Sequence, residues 1–170
     1  SGKNHGGSWV AMTSGKSVPQ SAEMAAVPIE VLRIPPAGVA DALPVAVLLV
    51  SYRTTVQTLR CLASLRTLVP PPAWIAVLDN APGDGGLRRA LAALNPFEAA
   101  EFRLYESPAN VGFAGGCNVL FADLLGEPGC ASFLLLNNDA VAHPFLVGRL
   151  YEALAGRTEA GMAGARVHRL

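Results

Sequence analysis

Charge is scarce in this chain. Asp, Glu, Lys and Arg make up 15% of 170 residues, and acids balance bases to a formal net charge of zero. Net charge therefore draws in neither nucleic acid nor an anionic membrane. Cysteine is equally sparse: Cys61, Cys117 and Cys130 are odd in number, widely spaced and without a CxxC pair. They supply no metal framework and fit a reducing compartment. The longest apolar run, around Ala46 to Val50, falls far short of the roughly 20 residues that cross a bilayer. No charged stretch leads into an apolar one, so no signal peptide is expected. His5, His143 and His168 do not cluster by spacing. Hydrophobic residues, by contrast, reach 51%, enough to build the core of one domain.

The first 43 residues differ from the rest. They are rich in Gly, Ser and Pro without a sustained period, as expected of a flexible lead-in, in part an expression remnant. Gly15-Lys16-Ser17 imitates the end of a phosphate loop, but Val10 stands where the motif needs glycine, and no apolar strand precedes it. Ile29–Ile34 has strand character and is stopped by Pro35-Pro36, which leaves strand and loop both open.

Regular alternation begins near Leu43, and residues 44–170 form the domain proper. Val45–Val50 is the continuous apolar run of a strand covered on both faces. Thr54 or Thr55 caps a helix to about Leu68, with Val56, Leu59, Leu62, Leu65 and Val69 as its apolar stripe. Arg53, Gln57, Arg60 and Ser64 share its other face. Trp74–Leu78 is a second strand. Asp84 caps a second helix carrying Leu87, Ala90, Leu91 and Leu94. Phe102–Glu106 is a third strand, followed by a helix from about Gly116 to Leu125. Ser132–Leu136 is the fourth strand, and Pro144 opens a helix to about Ala155. Ala160–Val167 resembles a further strand. Such alternation predicts an α/β fold with a mostly parallel sheet and helices on both faces.

Ligands of such sheets bind at the carboxyl ends of the strands. Here those ends run into Ser51-Tyr52-Arg53, Asp79-Asn80, Asn110-Val111-Gly112 and Asn137-Asn138-Asp139. All are polar or backbone-permissive, and parallel strands bring them to one edge. The last is the sharpest: Phe133–Leu136 stops at two amides and a carboxylate, hard oxygen donors that suit a divalent cation. Each also has a plainer reading as ordinary turn chemistry.

In this order, VAVLLVSYRTTVQTLRCLASL, AVLDNAPGDGG, NVGFAGGCN and LLLNNDAV resemble the family 2 glycosyltransferases of the GT-A fold, nearest to rhamnosyltransferase-like members. The likeness spans about residues 44–170. It implies a Rossmann-like nucleotide-sugar-binding fold, here its truncated N-terminal part. It implies that Ser51 and Tyr52 meet the nucleotide, and that Asp79 recognises the base. Gly115, Gly116 and Asn118 lie beside the ribose and diphosphate, and Asn138 joins the donor site. Asn137 and Asp139 occupy the metal-binding Asp-x-Asp position, with Asn in place of the first Asp. The implied cofactor is Mg or Mn.

Residue chemistry permits these roles and others. Asp79 could accept the ring N–H of a pyrimidine, or start an Asx turn. Tyr52 could stack on a base or pack at the strand end. The glycines of GFAGG could bring backbone N–H groups to a pyrophosphate, or serve close helix–sheet packing. Their order is not G-x-G-x-x-G, which argues against a nicotinamide dinucleotide site. Cys117 lacks a base partner and reads as a small packing residue.

The resemblance implies transfer from a UDP- or dTDP-sugar, dTDP-rhamnose among them, to a glycan or lipid-linked acceptor of a cell-surface polysaccharide. The general base would lie beyond Leu170. The site would be cytoplasmic, at the inner face of the membrane where peripheral, and self-association through an exposed sheet edge is expected. A non-catalytic α/β nucleotide-binding or interaction module is the alternative.

Overall fold

The computed structural model describes residues 29–38, 41–81, 83, 85–93, 95 and 97–168. The Gly-Lys-Ser string at residues 15–17, the Asp84 cap and Leu94 lie outside the described residues.

Among the described residues, five strands and four helices form one α/β unit: β1 (Glu30–Ile34), β2 (Leu43–Ser51), α1 (Thr55–Leu65), β3 (Pro72–Asp79), α2 (Gly86–Ala92), β4 (Glu101–Glu106), α3 (Gly112–Leu124), β5 (Ser132–Leu135) and α4 (Leu146–Ala155). The sheet order is β1-β4-β3-β2-β5. The four strands from β2 to β5 are mutually parallel, and β1 runs antiparallel along β4. Ile29–Ile34, open between strand and loop, thus becomes an edge strand. Its termination by Pro35 is tolerated because an edge need donate no further ladder bond.

Hydrophobic burial splits the helices between the faces. Val45, Val47, Leu49, Ile75 and Val77 pack with α1, α2 and α4, whereas Ala46, Leu48, Ala76 and Leu78 pack with α3. Successive residues of β2 and β3 thus point to opposite covered faces, which is why these strands are apolar throughout. Each fully buried Leu or Ile contributes about 1.5–3 kcal/mol. The chain steps outward through β2, β3 and β4, then returns to the other side of β2 for β5. Right-handed crossovers therefore place α3 opposite α1 and α2. The strand order reverses between β2 and β5, whose carboxyl ends are the topological switch point of a Rossmann-like sheet.

Three expectations are corrected. Val56 and Val69 are 66% and 58% exposed, so neither belongs to the buried stripe of α1. The inward residues are Thr58, Cys61, Leu62 and Leu65. The first half of α1 abuts a polar loop rather than the apolar core, so hydroxyls and a thiol occupy its inward positions. Second, α3 starts at Gly112, four residues before the expected start, because Asn80 holds its first turn. Third, Ala160–Val167 forms no strand; the segment is mostly exposed and has no ladder partner among the described residues. Among the described residues no helix is long and apolar enough to cross a membrane.

Candidate functional site at the sheet switch point

The strand ends are aligned in register. Ser51 pairs with Asp79, and Asp79 with Glu106. The ladder runs one step further: Asn80 N–H donates to the Ser51 carbonyl at 2.8 Å, and Ser107 N–H to that of Asp79 at 3.0 Å. On the other flank Leu48 pairs with Leu135, and Leu136 N–H reaches the Leu48 carbonyl. Asp79 and Ser51 are register partners at the ends of β3 and β2, and Thr58 links Ser51 to Asn138 in the turn after β5.

Asn137 opens a tight turn closed by Ala140 N–H to the Asn137 carbonyl at 3.1 Å. One face of α1 holds this turn. Asn138 Nδ2 donates to Thr54 Oγ1 at 2.5 Å and to Thr58 Oγ1 at 2.9 Å. Thr58 Oγ1 also lies 2.9 Å from Ser51 Oγ and 3.0 Å from the Thr54 carbonyl. The Cys61 thiol donates to the Asn137 carbonyl at 3.6 Å, and Ala142 N–H donates to Ser64 Oγ at 2.9 Å. Thr54 is the N-cap of α1 yet makes no side-chain cap bond; its hydroxyl receives Asn138 instead. Ser64, expected on the outward face, is half-buried for the same reason.

Electrostatics separate the carboxylates of this edge. Glu106 is nearly buried and paired with Arg88 of α2, whose Nε lies 2.5 Å away. Asp79 is 4% exposed, and its Oδ1 accepts Ala81 N–H at 3.0 Å, so the Asx turn is present. Asp139 is exposed, on the clamped turn. It still lies near enough to act on Cys61, whose thiol is pushed up to about 12, by burial first and then by the Asp139 charge. Cys61 therefore stays protonated at neutral pH and keeps its bond to Asn137.

The other expected residues fall as follows. Ser51 is 2% exposed and belongs to the hydroxyl cluster. Tyr52 is 44% exposed, with the Arg53 guanidinium 5.2 Å from its ring centroid. Arg53 has φ 55, a left-handed conformation that costs a non-glycine residue roughly 1–2 kcal/mol. Gly116 is buried inside α3, where a Cβ would meet Leu78 Cδ2 at 2.8 Å and Val50 Cγ1 at 3.0 Å. Close helix–sheet packing thus accounts for it. Gly115 is also within the helix, and Asn118 is exposed about 9 Å along the axis from Gly112, at 1.5 Å per residue. Cys117 is buried, and His143 is exposed before α4.

Sequence reading missed Thr58, and it took Thr54 for a cap and Asn80 for part of a strand end without their bridging roles. Asn80 is 3% exposed and bridges β3 to α3, donating to the Gly112 carbonyl at 3.0 Å and accepting Val111 N–H at 3.1 Å. The available signal was Thr54, Thr58, Cys61 and Ser64 at one-face helical spacing. Among the described residues no group of three or more His, Cys, Asp or Glu is arranged to hold a metal ion. The donors at the turn are instead one carboxylate and neighbouring amides, an all-oxygen set of the kind Mg or Mn takes when a ligand's phosphates complete the shell. No protein-family model matches the chain, and no curated protein matches it.

Proposed function

We propose that this chain is the donor-binding part of a GT-A glycosyltransferase of the family 2 type, taking a UDP- or dTDP-sugar. The observation that carries the reading is the pairing of Asp79 with Ser51 and the link from Ser51 through Thr58 to Asn138, beside the exposed Asp139 on a turn clamped to α1. A nucleoside diphosphate would lie along these strand ends with its base toward Asp79 and its phosphates toward Asn137–Asp139. The Asp79 carboxylate would accept a pyrimidine ring N–H. Tyr52 offers a half-exposed ring, and the Arg53 guanidinium over it would add a cation for the diphosphate. Asp139 and Asn137 would hold the divalent ion, which when bound supplies positive charge to the leaving diphosphate.

The reading assigns this chain the donor half of the reaction: selecting the base, fixing the diphosphate and orienting the anomeric carbon. The acceptor, a glycan or lipid-linked sugar, and the base that deprotonates it belong to the same proposal. So does association of two chains along β5, which ends the sheet.

Calorimetric titration with UDP, dTDP, GDP and ADP, each with Mn²⁺ and with chelator, tests the reading. Expected are a preference for pyrimidines and an affinity gain with metal. Equal binding of all four nucleotides, indifferent to metal, would sink it and favour a non-catalytic nucleotide-binding module.

A further inference from the structure

Thr58 is a helix residue with no exposed surface, yet it makes more polar contacts than any apolar core position needs. A hydroxyl has one hydrogen and two lone pairs. Its hydrogen serves the Thr54 carbonyl at 3.0 Å, one turn back. Its lone pairs receive the Ser51 hydroxyl and one hydrogen of the Asn138 amide, each at 2.9 Å. The other Asn138 hydrogen goes to Thr54 Oγ1. Thr58 is thus saturated, and both Asn138 hydrogens are spent on α1. One side chain ties the end of β2, the start of α1 and the turn after β5 together across the switch point.

Two further links fix the turn along the same helical face. Cys61 donates to the backbone carbonyl of Asn137, and Ser64 accepts from the backbone of Ala142. Residues on both sides of Asp139 are therefore held by α1, while the Asp139 side chain is exposed. This pattern suits a carboxylate that must be pre-placed for a ligand, because a supporting shell sets the geometry of the groups that bind.

We infer that Thr58 is the positioning residue of this site: through Asn138 it sets the Asn137–Ala140 turn and so places Asp139 for a metal-bridged diphosphate. The inference rests on the nucleotide-sugar reading for the identity of the ligand. Thr58 touches neither ligand nor metal. Its effect should therefore be confined to the metal-dependent part of binding, leaving base recognition at Asp79 intact.

The full chain and its T58V, T58S and N138A variants should be titrated with UDP, with Mn²⁺ and with chelator. Amide hydrogen exchange of residues 138–142 is followed in parallel. T58V keeps the shape and removes the hydroxyl; T58S keeps the hydroxyl; N138A breaks the same link at a half-exposed position and covers the case in which T58V does not fold. T58V and N138A should lose about tenfold or more of the metal-dependent gain, as second-shell changes do. T58V should keep its affinity in chelator within about twofold of the parent, and T58S should restore the gain. Exchange at 138–142 should rise in T58V and N138A alone. A full metal-dependent gain in both T58V and N138A would overturn the inference. If the parent chain shows no metal-dependent binding, the nucleotide-sugar reading fails, and exchange decides the positioning claim. Unchanged protection at 138–142 would then overturn it, and increased exchange would support it.

Discussion

Two polar clusters lie in this molecule, and they are built on opposite principles. One, at the switch point, is neutral: Ser51, Thr54, Thr58 and Asn138, with the exposed Asp139 beside it. The other, beneath α3, is charged. Arg103 is 1% exposed and reaches Glu101 at 2.7 Å, Asp123 at 2.6 Å and Glu127 at 2.6 Å. Tyr105 donates to Asp123 at 2.5 Å, and Arg33 adds partners from β1. Counting carboxylates alone would put a cation at the second cluster. Its three acids already receive two arginines and the Tyr105 hydroxyl, so their oxygens are engaged within the fold. The first cluster holds one carboxylate on a fixed turn. Saturated charge ties β1, β4 and α3 together; a carboxylate left exposed beside a rigid neutral cluster is available to a ligand.

Breaking the charged cluster should have the largest effect on stability. Arg103→Met leaves three carboxylates facing each other under α3. Removing one partner of a buried ion pair costs about 3–5 kcal/mol, and the lower end applies because each carboxylate keeps a quarter or more of its surface exposed. Urea unfolding should register the loss, while UDP affinity of the folded fraction stays unchanged. Impaired UDP binding with unaltered stability would erase the contrast.

Asp79→Asn should act the other way. It converts one carboxylate oxygen to a donor, so a pyrimidine ring N–H loses its acceptor. The expected loss is about 1–3 kcal/mol of UDP or dTDP affinity, read by calorimetry. Unchanged binding would reduce Asp79 to the Asx turn it also makes with Ala81.

A smaller effect is expected in acid. Burial raises the Asp123 carboxyl, but hydrogen bonds from Tyr105 and Arg103 and the charges of Arg103 and Arg33 outweigh it and hold the group below its usual 3.8. A carboxylate lowered on folding contributes stability that is complete above 3.8 and lost as pH falls through the folded value. Asp123→Asn should therefore lower stability at neutral pH and shrink the decline below 3.8, as thermal melts across pH 2–6 would show. An unchanged acid decline would remove Asp123 from the cluster's energetics.

Smallest of all is the expected stability change in Asp139→Ala. An exposed carboxylate away from special features is worth within about 0.5 kcal/mol. The same variant should abolish the metal-dependent gain in UDP affinity. A large loss of stability would mean that Asp139 is structural after all.

Most of the architecture was legible because β2, β3 and β5 are apolar on both faces and end at abrupt polar boundaries. Periodicity placed Trp74–Leu78 and Phe102–Glu106 because burial and pairing select the same residues there. It failed on α1, where the inward face is shared between core and loop. Val56 and Val69 looked buried because they are apolar, Ser64 looked exposed because it is polar, and Thr58 drew no reading. The hydrogen-bonding needs of Asn137, Asn138 and Ala142 decide otherwise, and those residues lie more than 70 positions along the chain. The start of α3 was misread for a related reason. Gly112 at φ 73 opens the helix because Asn80 clamps it from β3, and no local propensity announces a long-range amide. Asp139, Asn137 and Ser51 stood out as candidates from strand ends alone; the side chains that hold the turn did not.

The contrast between the clusters is most directly tested by paramagnetic broadening. With UDP bound, substoichiometric Mn²⁺ should broaden amide signals of residues 51–58 and 137–142 and spare those of 101–106 and 123–127. Asp139→Ala should abolish the effect. Broadening centred on Glu101, Asp123 and Glu127 would contradict the account, because it would place the cation in the cluster assigned here to holding the fold.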